Sequence, residues 1–409
     1  MTGGGWIVAA PAEESEAAGV PGGAPAAAGW LRVLQALAVL GPGLLVMAGD
    51  NDAGGLLSYA ATGARFGAGA FVLLLVPLCA CTCVVQDMAL RVGLACGRGL
   101  GSLVRTRLSR SWAVLCGCDL AVQNWLTLVT EFAGMGLGLA HFGIPLRVGV
   151  PLSCALVLAL VLLSPYRTAE RLGVGLAVAS LLFVPLAIHA GARGGAALWQ
   201  TRTTAGLRLF VVAAAGNALA PWMLFFQAQA SAERGGSVRA ARWDLGIGAL
   251  VQLTVASAVV LLGAAGIAAS GRTWGSALFA IGLFDAGLVA ALTVSLSTAW
   301  AVAEVFGGVA RPSARAADAP AFYGAYSVGV MAAAGAVLLP GLSLTLVAVA
   351  VQAAAAVLLP PVIAVLLLLA GDGALMGRHR NTPAWTLAGL LVLVVFVAAC
   401  AWLLLGGGV

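Results

Sequence analysis

The sequence predicts an all-α integral membrane protein, two inverted repeats of five helices plus an eleventh, with helices 1 and 6 unwound at mid-membrane. Three observations carry this reading. Hydrophobic residues make up 62% of the 409 residues and charged residues only 9%, whereas a soluble domain carries roughly 25% charged. Apolar runs of about 20 residues recur along the chain, each long enough to cross the ~30 Å hydrocarbon core as a helix. Lipid offers such a run no hydrogen bonds except its own backbone's. Finally, two of the runs are interrupted near their middles, at matching places in two halves. A transmembrane β-barrel would alternate polar and apolar residues, and this chain does not.

Residues 1–29 are rich in Ala, Gly and Pro and hold Glu13, Glu14 and Glu16. They lack the basic start of a signal peptide and read as a disordered cytoplasmic tail. Residues 30–409 read as one transmembrane domain of eleven helices. The spans fall at 32–63, 68–93, 112–141, 147–164, 171–191, 209–232, 244–269, 277–307, 322–340, 343–370 and 383–406. The chain has no lysine. With the N-terminus inside, fifteen of the 21 arginines fall on the cytoplasmic side, as the positive-inside rule requires, and the C-terminus lies outside. The expected location is a bacterial inner membrane.

The formal charge of +6 sits in short loops between apolar spans, which suits topology and excludes a nucleic-acid stripe. Cys79, Cys81 and Cys83 are spaced by two, as are Cys116 and Cys118, and no CxxC pair occurs. They read as small residues at helix contacts rather than as metal ligands. No nucleophile–base pair or metalloprotease motif points to an enzyme, and neither a cofactor nor an obligate protein partner is implied.

In span 1, Gly49-Asp50-Asn51-Asp52-Ala53-Gly54-Gly55 places two carboxylates and three glycines near the bilayer midplane. Each glycine weakens a helix by about 1 kcal/mol relative to alanine, and a buried Asp costs ~2.5–3.5 kcal/mol on insertion scales. In span 6, Gly216-Asn217-Ala218-Leu219-Ala220-Pro221-Trp222 carries a proline that removes a donor and obstructs the preceding turn. Taken singly, one break is also a helix end and the other an ordinary proline kink. Together, at matching positions, they mark a transporter site between inverted repeats of the LeuT type. Carbonyls freed at Asn217 and Ala218, with the oxygens of Asp50, Asn51 and Asp52, make a hard site suited to Mg²⁺, Ca²⁺ or Mn²⁺. In span 3, Asp119, Gln123, Thr127 and Glu131 recur every four residues and so share a face. That face reads either as an aqueous route or as hydrogen-bonding glue between helices.

At these segments the chain resembles the Nramp family of divalent metal transporters. Gly41-Pro42-Gly43 matches the family's opening of helix 1. In the same register Asp52, Ala53, Gly54 and Gly55 fall on its Asp-Pro-Gly-Asn, and Phe66-Gly67 on its Phe-Gly. Glu131, in Thr130-Glu131-Phe132-Ala133-Gly134, looks like the acidic residue of helix 3. Gln352 looks like the helix 10 glutamine, and Leu375-Met376-Gly377 is similar to the loop that follows. The resemblance implies a metal site formed by Asp52, Asp50, Asn51, Gly55, Asn217, Ala218, Ala220 and Gln352. It implies a pathway through Glu131, Asp119, Gln123, Thr127, Trp222 and Gln227.

The departures matter as much. Where transition-metal carriers of the family read Met-Pro-His, this chain reads Ala220-Pro221-Trp222. Losing the thioether leaves oxygen donors, which favours Mg²⁺, and alanine leaves room for retained waters. The chain looks most like the Nramp-related magnesium transporter branch. A second helix 6 histidine is replaced by Gln227, an Asp by Leu128, and span 9 lacks a pair of arginines. The resemblance therefore implies Mg²⁺ and Mn²⁺ transport with little or no proton coupling. A proton-coupled Mn²⁺ or Fe²⁺ carrier is the alternative, and a non-transporting scaffold or enzyme the second. An amino-acid carrier of LeuT type is disfavoured, because two carboxylates at the break would repel a substrate carboxylate.

Overall fold

The computed structural model describes residues 41–162, 173, 175–176, 178–202, 205–267, 271, 273–306 and 320–405. The predicted tail at 1–29 lies outside these residues.

Span 1 is two helices, α1 (Pro42–Gly49) and α2 (Ala53–Phe66), and span 6 is likewise two, α8 (Leu207–Ala218) and α9 (Pro221–Arg234). Between them run α3 (Gly69–Cys96), α4 (Leu100–Arg107), α5 (Arg110–His141), α6 (Leu146–Leu162) and α7 (Phe183–Gly194). After them come α10 (Val238–Ala264), α11 (Trp274–Phe306), α12 (Pro320–Val337), α13 (Leu344–Gly371), the short α14 (Gly373–Met376) and α15 (Pro383–Leu405). No strand occurs among the described residues. Among the described residues seven helices, counting Leu207–Arg234 through its break, are long and apolar enough to cross a membrane.

Local chemistry sets several ends. Pro42 opens α1, where its missing N–H costs nothing. Ser109 caps α5 by accepting from Trp112 N at 3.2 Å, and Ser237 caps α10 through Ala240 N at the same distance. The α4 helix was not predicted, being too short and polar to read as a span. Its N-terminus rests on Glu304, whose Oε2 accepts from Ser102 N at 3.0 Å. Glu304 is buried as this cap.

Burial is inverted relative to a soluble protein. Leu404 and Leu405 are 71% and 84% exposed, while Asp50, Asn51, Asp52, Glu131, Asn217 and Gln352 are all at or below 3%. Only a hydrocarbon solvent selects that arrangement, since ionisable groups in a membrane face the bundle interior. Helices approach closely where they carry glycine. A Cβ on Gly216 would lie 2.7 Å from Ala356 N and 3.0 Å from the Gln352 carbonyl carbon. That contact sets α13 against the end of α8 and carries Gln352 to the breaks.

Candidate metal centre

The first break occupies three residues. Asp50 ends α1 with φ −73° and ψ −23°. Asp52 is extended, with ψ 167°, and caps α2 by accepting from Gly55 N through Oδ1. A short carboxylate side chain is favoured at this position because it satisfies an amide the new helix leaves unpaired. The two carboxylates turn to different partners. Asp50 Oδ2 accepts from Gln252 Nε2, whereas Asp52 accepts from Gln352 Nε2 at 3.0 Å and 3.3 Å. Between them Asn51 Nδ2 donates to the Gln252 carbonyl at 3.1 Å, and Asn51 Oδ1 is buried without a partner.

The second break is the extended pair Leu219 (φ −154°, ψ 112°) and Ala220 (φ −113°, ψ 153°), followed by Pro221 at the first position of α9. The freed carbonyl expected at Ala218 is not open. It accepts from Thr82 Oγ1 at 2.6 Å and from Gln252 Nε2 at 3.1 Å, so both its lone pairs are taken. Ala220 is turned into the first turn of α9: its carbonyl accepts from Met223 N at 3.2 Å, and its N–H meets Met223 Sδ at 3.4 Å.

The breaks meet at Asn217 and Gly55. Asn217 Nδ2 donates to the Gly55 carbonyl at 3.2 Å, and Asn217 Oδ1 is buried without a donor. A Cβ on Gly55 would fall 2.6 Å from Asn217 Oδ1 and 2.9 Å from Asp52 Oδ1. Two oxygens from two helices thus converge over a residue that has no side chain to separate them. A buried oxygen without a donor costs about 1–3 kcal/mol, and a cation bound there would remove that cost.

The pathway residues divide. Glu131 is fully buried; Oε2 accepts from Ala53 N at 2.8 Å and Oε1 from Thr130 Oγ1 at 3.2 Å. It therefore anchors the start of α2 beside the break. Gln123 Nε2 donates to Thr127 Oγ1 at 3.3 Å, and one oxygen each of Gln123 and of half-buried Asp119 is without a partner. Trp222 is fully buried, its indole N–H unpartnered and its ring edge-on to Phe226 at 6.3 Å. Gln227 bonds Ser231 Oγ at 2.9 Å.

Among the described residues no three His, Cys, Asp or Glu side chains form a cage, and the cysteines are unpaired. The donors here are two carboxylates and several amides, a set that suits a hard cation keeping part of its water shell. Sequence reasoning missed Gln252, which binds Asp50, Asn51 and Ala218 at once. It also missed Asp244, whose carboxylate accepts from Gly41 N at 2.9 Å, Gly43 N at 2.8 Å and Leu44 N at 3.2 Å. Each was visible as a polar residue in span 7, but nothing in its neighbours pointed to a partner 200 residues away.

The family model described as "Natural resistance-associated macrophage protein-like", or Nramp, matches residues 43–406. The chain belongs to the Nramp family. Among the relatives of this Nramp chain are two proteins named divalent metal cation transporter MntH. That of Levilactobacillus brevis is 32% identical over 39% of the chain; that of Brucella suis biovar 1 is 28% identical over 64%. The matches span 34% and 66% of those relatives. Among solved structures, a manganese transporter of Eremococcus coleocola superposes with TM-score 0.71 at 18% identity, covering 93% of this chain and 87% of that one. The symporter Mhp1 (TM-score 0.62, 10% identity, 89% and 92% covered) and MhsT in complex with L-phenylalanine (0.61, 13%, 88% and 98%) share the architecture. The fold of this Nramp protein is the inverted repeat of the LeuT type in an integral membrane protein.

Proposed function

We propose that the chain is a secondary transporter that carries Mg²⁺, and Mn²⁺ as a second substrate, with little or no proton coupling. The observation that carries this is the meeting of Asp52 Oδ1 and Asn217 Oδ1 over Gly55, where the broken helices touch. Asp52, Asn217 and Asn51 are the direct oxygens in this reading. Asp50, held aside by Gln252, adds charge from the outer shell. Ala218 and Ala220 contribute space rather than carbonyls, and Gln352 orients Asp52.

Oxygen donors and a methyl at Ala220 favour a cation that sheds water reluctantly. Trp222 and Gln227 stand where a proton relay would need imidazoles, and Glu131 is committed to the Ala53 amide. The membrane potential supplies ~4.6 kcal/mol per 100 mV for a divalent ion, twice the single-charge value. The arginine bias and the bacterial relatives support a bacterial inner membrane with the N-terminus inside.

Proteoliposomes loaded with a magnesium dye and a pH dye test the proposal. Mg²⁺ uptake that follows the potential with no internal acidification is the expected result. Absence of Mg²⁺ entry, or of competition between Mg²⁺ and Mn²⁺, would overturn it. The second reading, a proton-coupled Mn²⁺ or Fe²⁺ carrier, rests on Met223, whose sulfur lies at the break. It is preferred if vesicles acidify during Mn²⁺ uptake and Met223→Leu abolishes that uptake.

A further inference from the structure

We propose that the cavity at the start of α15 seats the headgroup of an anionic phospholipid. The cavity measures about 470 Å³ and is lined by Arg380, Asn381, Pro383, Thr386, Leu387 and Leu390, within the ~300–1,000 Å³ typical of small-molecule sites. One half is cationic. Among the described residues neither Arg380 nor Arg378 has a carboxylate within ion-pair distance, and Arg378 Nε meets only His379 Nε2, at 3.3 Å. The nearest acid in sequence, Asp372, is committed to Ala374 N, Leu375 N and Arg107. Behind the cavity wall, Arg91 and Arg242 share the single carboxylate of Asp87 and both lie over the Trp385 ring, at 5.5 Å and 5.9 Å. The local charge is therefore an uncompensated positive one.

The other half is apolar. Leu387 and Leu390 are 59% and 45% exposed, on a helix apolar enough to span the bilayer. The first turn of such a helix falls at headgroup depth, which puts Leu387 and Leu390 about one and two turns into the acyl region. A guanidinium binds a phosphate diester through two parallel N–H bonds, and the leucine face accommodates the chain attached to it. Charge and depth together select an anionic lipid over a neutral one.

The occupant would brace more than α15. Asn381 Oδ1 accepts from Arg91 Nη2 at 2.7 Å, and the His379 carbonyl accepts from Arg91 Nη1 at 2.8 Å. A headgroup on Arg380 thus steadies the turn that ties α3 and α10 to α15. The inference goes beyond the transport reading and does not depend on the cargo.

Thermal unfolding of the full chain in detergent, titrated with phosphatidylglycerol or with phosphatidylcholine of the same acyl chains, tests it. Phosphatidylglycerol should raise the midpoint by several degrees and phosphatidylcholine should not. The exposed double variant Arg378→Gln/Arg380→Gln should keep its midpoint in neutral lipid while binding phosphatidylglycerol roughly tenfold more weakly, a loss of one good contact. Arg380→Lys should retain part of the shift. If the double variant lacks a normal midpoint, retention of one phosphatidylglycerol per chain in native mass spectrometry, lost in Arg380→Gln alone, gives the same answer. Equal shifts from both lipids, an undiminished shift in the double variant, or the full shift from inorganic phosphate would each overturn the proposal.

Discussion

Asn217 donates through Nδ2 to the Gly55 carbonyl at 3.2 Å, the bond that joins the two broken helices, while its Oδ1 stays without a donor over Gly55. The same side chain therefore fixes the geometry of the breaks and, in the proposed site, offers an oxygen to the cation.

Asn217→Ala removes both, and Gly55→Ala places a methyl between Asn217 Oδ1 and Asp52 Oδ1. Mn²⁺ affinity, read by isothermal titration on purified protein, should fall roughly tenfold or more for Asn217→Ala, the equivalent of about 1.4 kcal/mol. Gly55→Ala should lose uptake while still reaching the membrane. Unchanged affinity in both variants would place the site elsewhere.

Gln252 holds three groups of the two breaks. Gln252→Leu leaves Asp50 and the Ala218 carbonyl each short of a buried donor, at about 1–3 kcal/mol per group. The unfolding midpoint in detergent should drop, and uptake should fall more than for a surface control. A variant with wild-type stability and uptake would show that these bonds do not hold the breaks.

Ala220→Met restores the thioether of the transition-metal carriers. Competition assays in proteoliposomes should show Cd²⁺ and Mn²⁺ gaining over Mg²⁺, because a soft sulfur favours softer ions. An unaltered ratio of Mg²⁺ to Mn²⁺ uptake would mean that selectivity is set outside Ala220.

Asp87 is the shared counter-ion of Arg91, at 2.8 Å, and Arg242, at 2.6 Å. Removing one partner of a buried pair costs about 3–5 kcal/mol through the charge left behind. Asp87→Asn should therefore lower detergent stability sharply, and Asp87→Asn with Arg91→Met should recover part of it. The measurement is the midpoint of each variant at one detergent concentration.

Both breaks were legible in the sequence because their causes are local. Glycines and aspartates in an apolar run, and a proline in another, oppose a continuous helix whatever surrounds them. The row from Asp119 to Glu131 was legible for the same reason, as a helical period. Its use was not: Glu131 serves the Ala53 amide, a pairing that helical spacing cannot announce. Ala218 failed as an open carbonyl because Thr82 and Gln252, on two other helices, arrive to fill it.

By itself the sequence determined the solvent and the two places where helix gives way, since backbone satisfaction in lipid depends on composition over a single segment. Tertiary structure alone decided which oxygens meet. Asp50 and Asp52 sit two residues apart yet face Gln252 and Gln352 on separate helices. The direction of a side chain at a break is set by the hydrogen-bond partners that packing brings to it, and those lie 200 and 300 residues away.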